Sequence, residues 1–208
     1  MDENQIKGAA KDAVNESKNP VGGPPKTFES RIQDLVTDHP TLLSVSDALL
    51  RARTVLVEQF KRLDNQAHRA ARADKRARLL TTAPGVGSIV ALTFASAIDD
   101  PGRFKSSKSV GPLFGLTPRR YQSGETDVTG RISKAGDAMV RTALYEAANA
   151  ILERSAGDAP LRTWALAVAR RAGMRKAKVA LARKLAVILH RMLVDGTPFD
   201  AAKAAAAA

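Results

Sequence analysis

The chain of 208 residues contains no cysteine, which excludes disulfide bonds and thiolate metal sites. Its three histidines, His39, His68 and His190, are far apart and lack the spacing of metal ligands, so we interpret each as a surface or packing residue. No apolar stretch approaches the roughly 20 residues that a membrane-spanning helix needs. The polar, acidic start is not that of a signal peptide. We expect a cytoplasmic, nucleoid-associated protein with no membrane partner.

Aromatic residues are also scarce, at 4%, whereas hydrophobic residues as a whole make up 44%. Alanine, leucine and arginine dominate, and these residues lose little entropy in a helix. No stretch longer than four residues alternates as a strand would. The sequence therefore predicts an all-α fold, in which a long heptad helix or helical hairpin precedes a compact helical domain.

Breaks in composition divide the chain into four segments. Proline and glycine are dense in "NPVGGPPK", where they interrupt regular structure. We predict a polar, Pro/Gly-rich tail and linker at 1–38, a coiled-coil-like helical segment at 39–78, a C-terminal domain at 79–200 and an alanine-rich tail at 201–208.

Acidic residues are absent from one long stretch. Lysine and arginine total 33 against 21 acidic residues, giving a net charge of +12, and no Asp or Glu lies between Ala159 and Val194. A helical surface of one sign repels itself unless a polyanion neutralises it. We therefore predict nucleic-acid contacts here rather than an ordinary solvated surface. The candidates at the centre of this stretch are Arg170, Arg171, Arg175, Lys176 and Lys178.

A heptad repeat runs through the segment at 39–78. Leu42, Leu49, Leu56 and Leu63 are spaced seven apart, with further apolar residues three or four positions later. His39-Pro40 is a plausible start, because proline is tolerated in the first helical turn. The repeat is compatible with a helix packed on its own domain, a helical hairpin, or a coiled coil that joins two chains.

A Pro-Gly-x-Gly turn separates two apolar helical stretches near residue 85. Pro84, Gly85 and Gly87 have the pattern of a helix-hairpin-helix turn, in which backbone N–H groups at the start of the second helix hold a phosphate. A tight turn with no ligand is the alternative. The GK[ST] ending of a nucleotide-binding P-loop is absent.

The run "RRYQSGETDVTGRISKAGD" at 119–137 carries the candidate chemistry. A serine attacks phosphate only when its proton is accepted and the phosphate charge is neutralised, and arginine and lysine supply the second requirement. We therefore consider three interpretations: Ser123 as the nucleophile, Ser133 as the nucleophile, or a polar loop that only positions DNA. The other DNA-binding candidates of the run are Arg119, Arg120, Tyr121, Gly124, Arg131 and Lys134. Glu125 and Asp127 are too few for a metal site, so no metal or cofactor is predicted in this chain.

The combination "GLTPRRYQSG", "GRISKAGD" and "VRTALYEAA" resembles the C-terminal domain of the Piv/MooV-like insertion-sequence transposases, the bridge-RNA-guided recombinases. "KAKVALARKLAVILHRMLVDGTPF" is similar to the helix that closes that domain. The resemblance covers roughly residues 40 to 200. It implies a helical fold with a coiled-coil segment before the transposase domain. It also implies that the serine of the YxSG motif, here Ser123, is the nucleophile and forms a phosphoserine link to DNA.

The same resemblance implies partners outside this sequence. In that family a RuvC-like domain N-terminal to the coiled coil binds Mg²⁺ through four carboxylates, and a noncoding guide RNA pairs with the DNA. No strand pattern precedes the heptads here, so we expect a truncated chain that lacks the RuvC-like domain. We expect DNA and a guide RNA as partners, together with self-association or assembly with full-length relatives. The alternative function is a non-catalytic nucleic-acid-binding remnant that modulates such relatives.

Overall fold

The computed structural model describes residues 25–123, 126–153 and 159–206. Within these residues the chain forms nine α-helices and one two-stranded sheet, which confirms the all-α class. The helices are α1 (Pro25–Val36), α2 (Pro40–Ala73), α3 (Lys75–Leu80), α4 (Ser88–Ala97), α5 (Val110–Leu113), α6 (Ala138–Glu153), α7 (Ala159–Ala172), α8 (Met174–Asp195) and α9 (Ala201–Ala206). The strands are β1 (Pro118–Ser123) and β2 (Thr126–Ile132), and the 3₁₀ turns are Pro101–Arg103 and Ser107–Ser109.

The chain divides into two compact units after Leu63. In the first unit α1 lies beside α2, because Arg53 hydrogen-bonds the Glu29 carboxylate at 3.1 Å and covers the Phe28 ring at 4.7 Å. A helix therefore occupies part of the segment predicted as tail and linker. The helix α2 begins at Pro40, as the sequence predicts, but it ends at Ala73, and residues 75–80 form the separate helix α3.

The second unit packs around α8, which contacts α3, α5, α6 and α7. Its inward face carries Leu181, Leu185 and Leu189, all fully buried. The helix α4 adds Phe94, whose ring tilts against Phe114 with centroids 5.8 Å apart. Burial of this apolar surface is the main favourable contribution to the stability of the unit.

Local signals mark the breaks between these helices. The Asp137 carboxylate accepts from the backbone N–H of Met139 at 2.7 Å, and so caps α6. Gly173, at φ 87°, separates α7 from α8 within the "RRAGMRK" run. Gly196 ends α8 in the left-handed conformation that favours glycine.

One prediction about local structure is wrong. It is the polar loop at 119–136, because most of this run forms an antiparallel hairpin in which Tyr121 pairs with Val128 and Ser123 with Thr126. Periodicity does not reveal the hairpin, because a strand shows alternating hydrophobicity only when one of its faces is buried. Every residue of β1 is exposed.

The alanine-rich end, predicted as a tail, contains a further short helix. Residues 201–206 form α9, capped by the Asp200 carboxylate, which accepts from the N–H of Ala202 at 2.8 Å. Ala204 of this helix is buried. Among the described residues, no helix is both long and apolar enough to cross a membrane.

Candidate nucleic-acid interface

The hairpin β1–β2 projects from a backbone clamp at its base. Gly115 (φ 65°) and Gly136 (φ 77°) lie where a Cβ atom would overlap the backbone of Ala135 and of Leu113, respectively. Arg141 of α6 reinforces the clamp, because its Nη1 donates to the Phe114 carbonyl at 3.1 Å and to the Ala135 carbonyl at 3.3 Å. The base of the hairpin is therefore fixed to the packed helices, and its strands extend into solvent.

Ser123 lies at the outer end of β1, as the last residue of the strand. It is exposed, and its Cα partner across the hairpin is Thr126. Alternation along a strand places Ser123 on the same face as Tyr121, two residues before it. The Tyr121 ring covers Gly130, where an added Cβ would meet the ring at 3.0 Å. This arrangement presents the Ser123 hydroxyl to a partner that approaches from solvent.

Ser133 lies at the opposite end of the hairpin and is engaged in its base. Its N–H donates to the Thr117 carbonyl at 2.9 Å, and its Oγ accepts from the N–H of Ala135 at 3.4 Å. Its carbonyl accepts from Arg119 Nη2 at 3.2 Å. These bonds give Ser133 a structural role in holding the hairpin to the domain.

The basic candidates of the run lie along the hairpin and at its base. Arg119, Arg120 and Tyr121 are exposed on β1, with a bulge between Pro118 and Arg120, and Arg131 is exposed on β2. Lys134 is exposed in the clamp and has φ 54°, a left-handed conformation that is uncommon for a residue with a side chain. The predicted contact Gly124, like Glu125, lies outside the described residues, as does the side chain of Asp127.

The Pro84–Gly87 turn joins α3 to α4, as predicted, and the two helices contact each other. Gly85 is required by packing: it has φ 68°, and a Cβ there would lie 2.5 Å from the Ala147 carbonyl oxygen. Gly87 is exposed, and an added Cβ would meet nothing within 4 Å. No side chain caps the first turn of α4. Gly87 and the N–H groups that follow it are thus open to a ligand, whereas Gly85 serves the fold.

The acid-free stretch places four cations at the junction of α7 and α8. Arg170, Arg171, Arg175 and Lys176 are exposed, and no carboxylate of the described residues pairs with them. Lys178, also predicted as a contact, is half-buried. The structure thus groups four of the five predicted cations around Gly173. Sequence spacing does not show where these four cations lie relative to the outer end of the hairpin.

Comparison with known proteins relates part of this chain to a described family. Residues 77–163 match the family described as "Transposase IS116/IS110/IS902 family". This segment belongs to that family. It contains the Pro84–Gly87 turn, the hairpin and α6.

Named relatives match longer parts of the chain. The transposase of insertion sequence IS1111A from Coxiella burnetii is 35% identical over 59% of this chain and 34% of its own length. The transposase of IS1328 from Yersinia enterocolitica is 30% identical over 77% of this chain and 48% of its own length. The pilin gene-inverting protein of Moraxella bovis is 31% identical over 60% of this chain and 39% of its own length. The chain thus spans about a third to a half of the length of these relatives.

Sequence reasoning missed two polar contacts inside the second unit. His190 is buried, with Nδ1 2.9 Å from Ser107 Oγ and Nε2 3.2 Å from the Pro101 carbonyl. The Lys184 ammonium lies 4.7 Å from the centroid of the Trp164 ring, and burial lowers its pKa from the usual value. Both side chains come from α8. The only sequence signal for these contacts is a polar residue at a position where the helical pattern places apolar ones.

The described residues offer no ligand set for a metal ion. No three histidine or carboxylate side chains among them lie close enough together to hold one. The Mg²⁺ that the family resemblance implies therefore has no fitting site in this part of the chain, and we assign no step to it here.

Proposed function

We propose that this chain acts in DNA transposition or site-specific recombination, with Ser123 as the nucleophile that joins protein to DNA. The observation that carries the proposal is the exposed position of Ser123 at the outer end of a rigidly based hairpin within the family-matched segment. Relatives named as transposases and as a gene-inverting protein support the reaction class. The structural engagement of Ser133 favours Ser123 over the second candidate.

In the proposed reaction the Ser123 hydroxyl oxygen forms a bond to a backbone phosphorus. One phosphorus–oxygen bond of the strand breaks, and the departing strand end takes up a proton as a hydroxyl. Arg120, Arg131 and Lys134 lie between the middle of the hairpin and its base, so they would supply positive charge to the DNA backbone beside the attacked phosphate. None of them serves as the base, because arginine remains protonated and these cations act by charge.

The proton of Ser123 requires an acceptor that we place on another polypeptide segment. Glu125 and the side chain of Asp127 lie outside the described residues. No other residue of β1 or β2 carries a carboxylate. We propose that a RuvC-like domain completes the site, supplied by a full-length relative. Recruitment of that relative through α2 and the use of a guide RNA belong to the same proposal.

A second candidate function is nucleic-acid binding without catalysis. It is favoured by the exposed cations at the α7–α8 junction, which pair with no carboxylate of the described residues. Under this function the chain would occupy DNA and alter the activity of full-length relatives.

One experiment separates the two functions. The chain is mixed with a full-length relative whose own nucleophilic serine is replaced by alanine, on a DNA substrate that traps covalent intermediates. Catalysis predicts an adduct with the mass of this chain joined to one strand. The adduct disappears with Ser123→Ala and persists with Ser133→Ala.

The matched variants keep the result interpretable. Both remove one hydroxyl from the same hairpin, and DNA binding measured in parallel shows that each variant is folded. An adduct that vanishes only with Ser133→Ala would reverse the assignment. Binding without any adduct from the wild-type chain would establish the non-catalytic function.

A further inference from the structure

A basic hollow lies between the start of the second unit and the end of α8. We define it by the cations Lys75, Arg76 and Arg78 at its rim and by Leu79, Leu193 and Pro198 at its floor. Its volume is about 520 Å³, which falls within the ~300–1,000 Å³ typical of sites for small organic molecules. The hollow is therefore large enough for a single nucleotide.

The rim is positively charged, and the carboxylates nearest to it in sequence have other partners. Asp74 caps α3, accepting from the N–H of Arg76 at 2.7 Å and of Ala77 at 3.1 Å. Asp195 faces Arg191 at 3.6 Å. No carboxylate of the described residues lines the hollow. An anion that enters it meets cations that have no competing counter-ion on the wall.

The rim cations differ in their freedom. Arg76 is held in place, since its Nη1 donates to the Asp99 carbonyl at 2.9 Å and to the Ile98 carbonyl at 3.3 Å. Lys75 and Arg78 are exposed at the rim. One fixed cation and two more accessible ones suit a phosphate group, which accepts several hydrogen bonds at once.

The floor is apolar. Leu79 and Leu193 are half-buried against the core, and Pro198 is exposed beside them. In a DNA duplex the bases are paired and stacked, so its outer surface offers phosphates but few apolar groups to such a floor. An unpaired strand exposes base and sugar next to each phosphate, which matches a cationic rim around an apolar floor.

Thr82, a polar residue that also lines the hollow, favours DNA over RNA. Thr82 Oγ1 donates to the Leu79 carbonyl at 2.8 Å and accepts from the Phe199 N–H at 3.0 Å. The hydroxyl is thus already used in both directions. A ribose 2′-hydroxyl would lose water here without a side-chain partner in the floor, whereas deoxyribose would not.

We propose that the basic hollow binds one nucleotide of single-stranded DNA, with its phosphate at Lys75 and Arg78 and its sugar and base on Leu79, Leu193 and Pro198. This inference rests on the proposed function in DNA recombination, where strand exchange exposes unpaired DNA. It places the single strand at a surface separate in sequence from the hairpin and the α7–α8 cations.

The test measures binding of the full chain to oligothymidine of about 15 nucleotides, to the RNA of equivalent sequence and to a duplex of the same length. The variant Lys75→Gln/Arg78→Gln should weaken single-stranded DNA binding about fivefold, or about 1 kcal/mol. The slope of log affinity against log salt should fall by about 0.7 for each phosphate that the variant no longer binds. Duplex affinity should change less than about twofold.

The control is Lys61→Gln/Arg62→Gln, which removes two exposed cations outside the hollow. It should not weaken the single strand selectively. Photocrosslinking with 4-thiothymidine should label peptides that contain residues 79–82 or 193–198. Equal losses on single strand and duplex, labelling only elsewhere, or an effect confined to RNA would each overturn the proposal. Unchanged binding to all three nucleic acids would do the same.

Failure of this inference is distinguishable from failure of the proposed function. The adduct assay depends on Ser123 and a duplex substrate, and it does not involve the hollow. A chain that forms the Ser123 adduct but binds single strands equally well without Lys75 and Arg78 would lose only the inference.

Discussion

His190 joins a surface loop to the central helix α8 through a single buried ring. The Pro101 carbonyl accepts a hydrogen bond, so Nε2 carries the proton and the neutral Nδ1 accepts from the Ser107 hydroxyl. Phe104 packs edge-on against the ring at 5.0 Å. One side chain thus holds both 3₁₀ turns. The exposed cation Arg103 ends the first turn, and Lys105 lies between the two.

This environment makes stability depend on pH. Burial lowers the pKa of His190 below its usual value, and the bond to Pro101 opposes this only in part. The unfolded chain therefore binds a proton more readily than the folded chain. The contribution is fully present above the unfolded pKa of about 6.5 and is lost as the pH falls below it towards the folded pKa.

We expect the free energy of unfolding by urea to fall between about pH 7 and 5, and His190→Gln to flatten this fall because glutamine does not titrate. His68→Gln, at an exposed histidine, should keep the wild-type dependence. An unchanged pH dependence in His190→Gln would show that other groups cause it.

Gly85 and Gly87 form a matched pair for a second residue-level prediction. Gly85→Ala forces a side chain into a left-handed backbone and against Ala147, so it should reduce the free energy of unfolding by about 1–3 kcal/mol. Gly87→Ala should change it by less than about 0.5 kcal/mol, because space is open and φ is −82°. Thermal or urea unfolding of both variants measures the difference. Similar effects from the two would contradict the packing role of Gly85.

At the scale of elements, helices with strong local signals were predictable and the hairpin was not. Asp137 and Gly196 marked the ends of α6 and α8 through caps that act within a few residues. The hairpin depends instead on Gly115 and Gly136, which fit against the backbones of Ala135 and Leu113 only after the chain has folded.

The candidate site shows the same division. The motif identified Ser123 and its basic neighbours, but the engaged state of Ser133 and the basic hollow arise from contacts between segments distant in sequence. Lys75 and Leu193, for example, lie together only because α3 packs on α8. Sequence spacing carries no information about such contacts.

The helix α2 has a stripe of exposed leucines. Its heptad leucines Leu42, Leu49, Leu56 and Leu63 are 51–69% exposed, although buried leucines stabilise a fold more than exposed ones. We predict that this stripe joins α2 to a second copy or to a full-length relative. Leu49→Asp/Leu56→Asp would place charge in that seam and should yield a smaller species in sedimentation.

Ser44→Asp/Asn65→Asp provides the control for this prediction. It adds two carboxylates at exposed positions of α2 that lie outside the leucine stripe. This variant should sediment as the wild type does. A wild-type chain that remains monomeric at high concentration would rule out pairing through α2.

At the scale of the whole molecule, charge is the dominant feature. The excess of 33 basic over 21 acidic residues attracts any polyanion, so charge alone specifies neither a site nor a sequence. Part of this excess lies on the hairpin, at the α7–α8 junction and around the basic hollow. Each site would contribute to the salt dependence of binding by the number of phosphates it contacts.

The α7–α8 junction supplies the clearest test of that additivity. Replacing Arg170, Arg171, Arg175 and Lys176 by glutamine removes four exposed cations without disturbing the core. If they bind duplex phosphates, the log–log salt slope should fall by about 0.9 for each phosphate that is no longer bound, with little change in sequence preference. As a control, glutamine at Lys61, Arg62, Arg69 and Arg72 removes the same charge from exposed positions of α2. It lowers the net charge equally, so a purely global effect would reduce both slopes alike. A larger reduction in the junction variant would place duplex DNA there, whereas an unchanged slope would mean that these cations face only solvent.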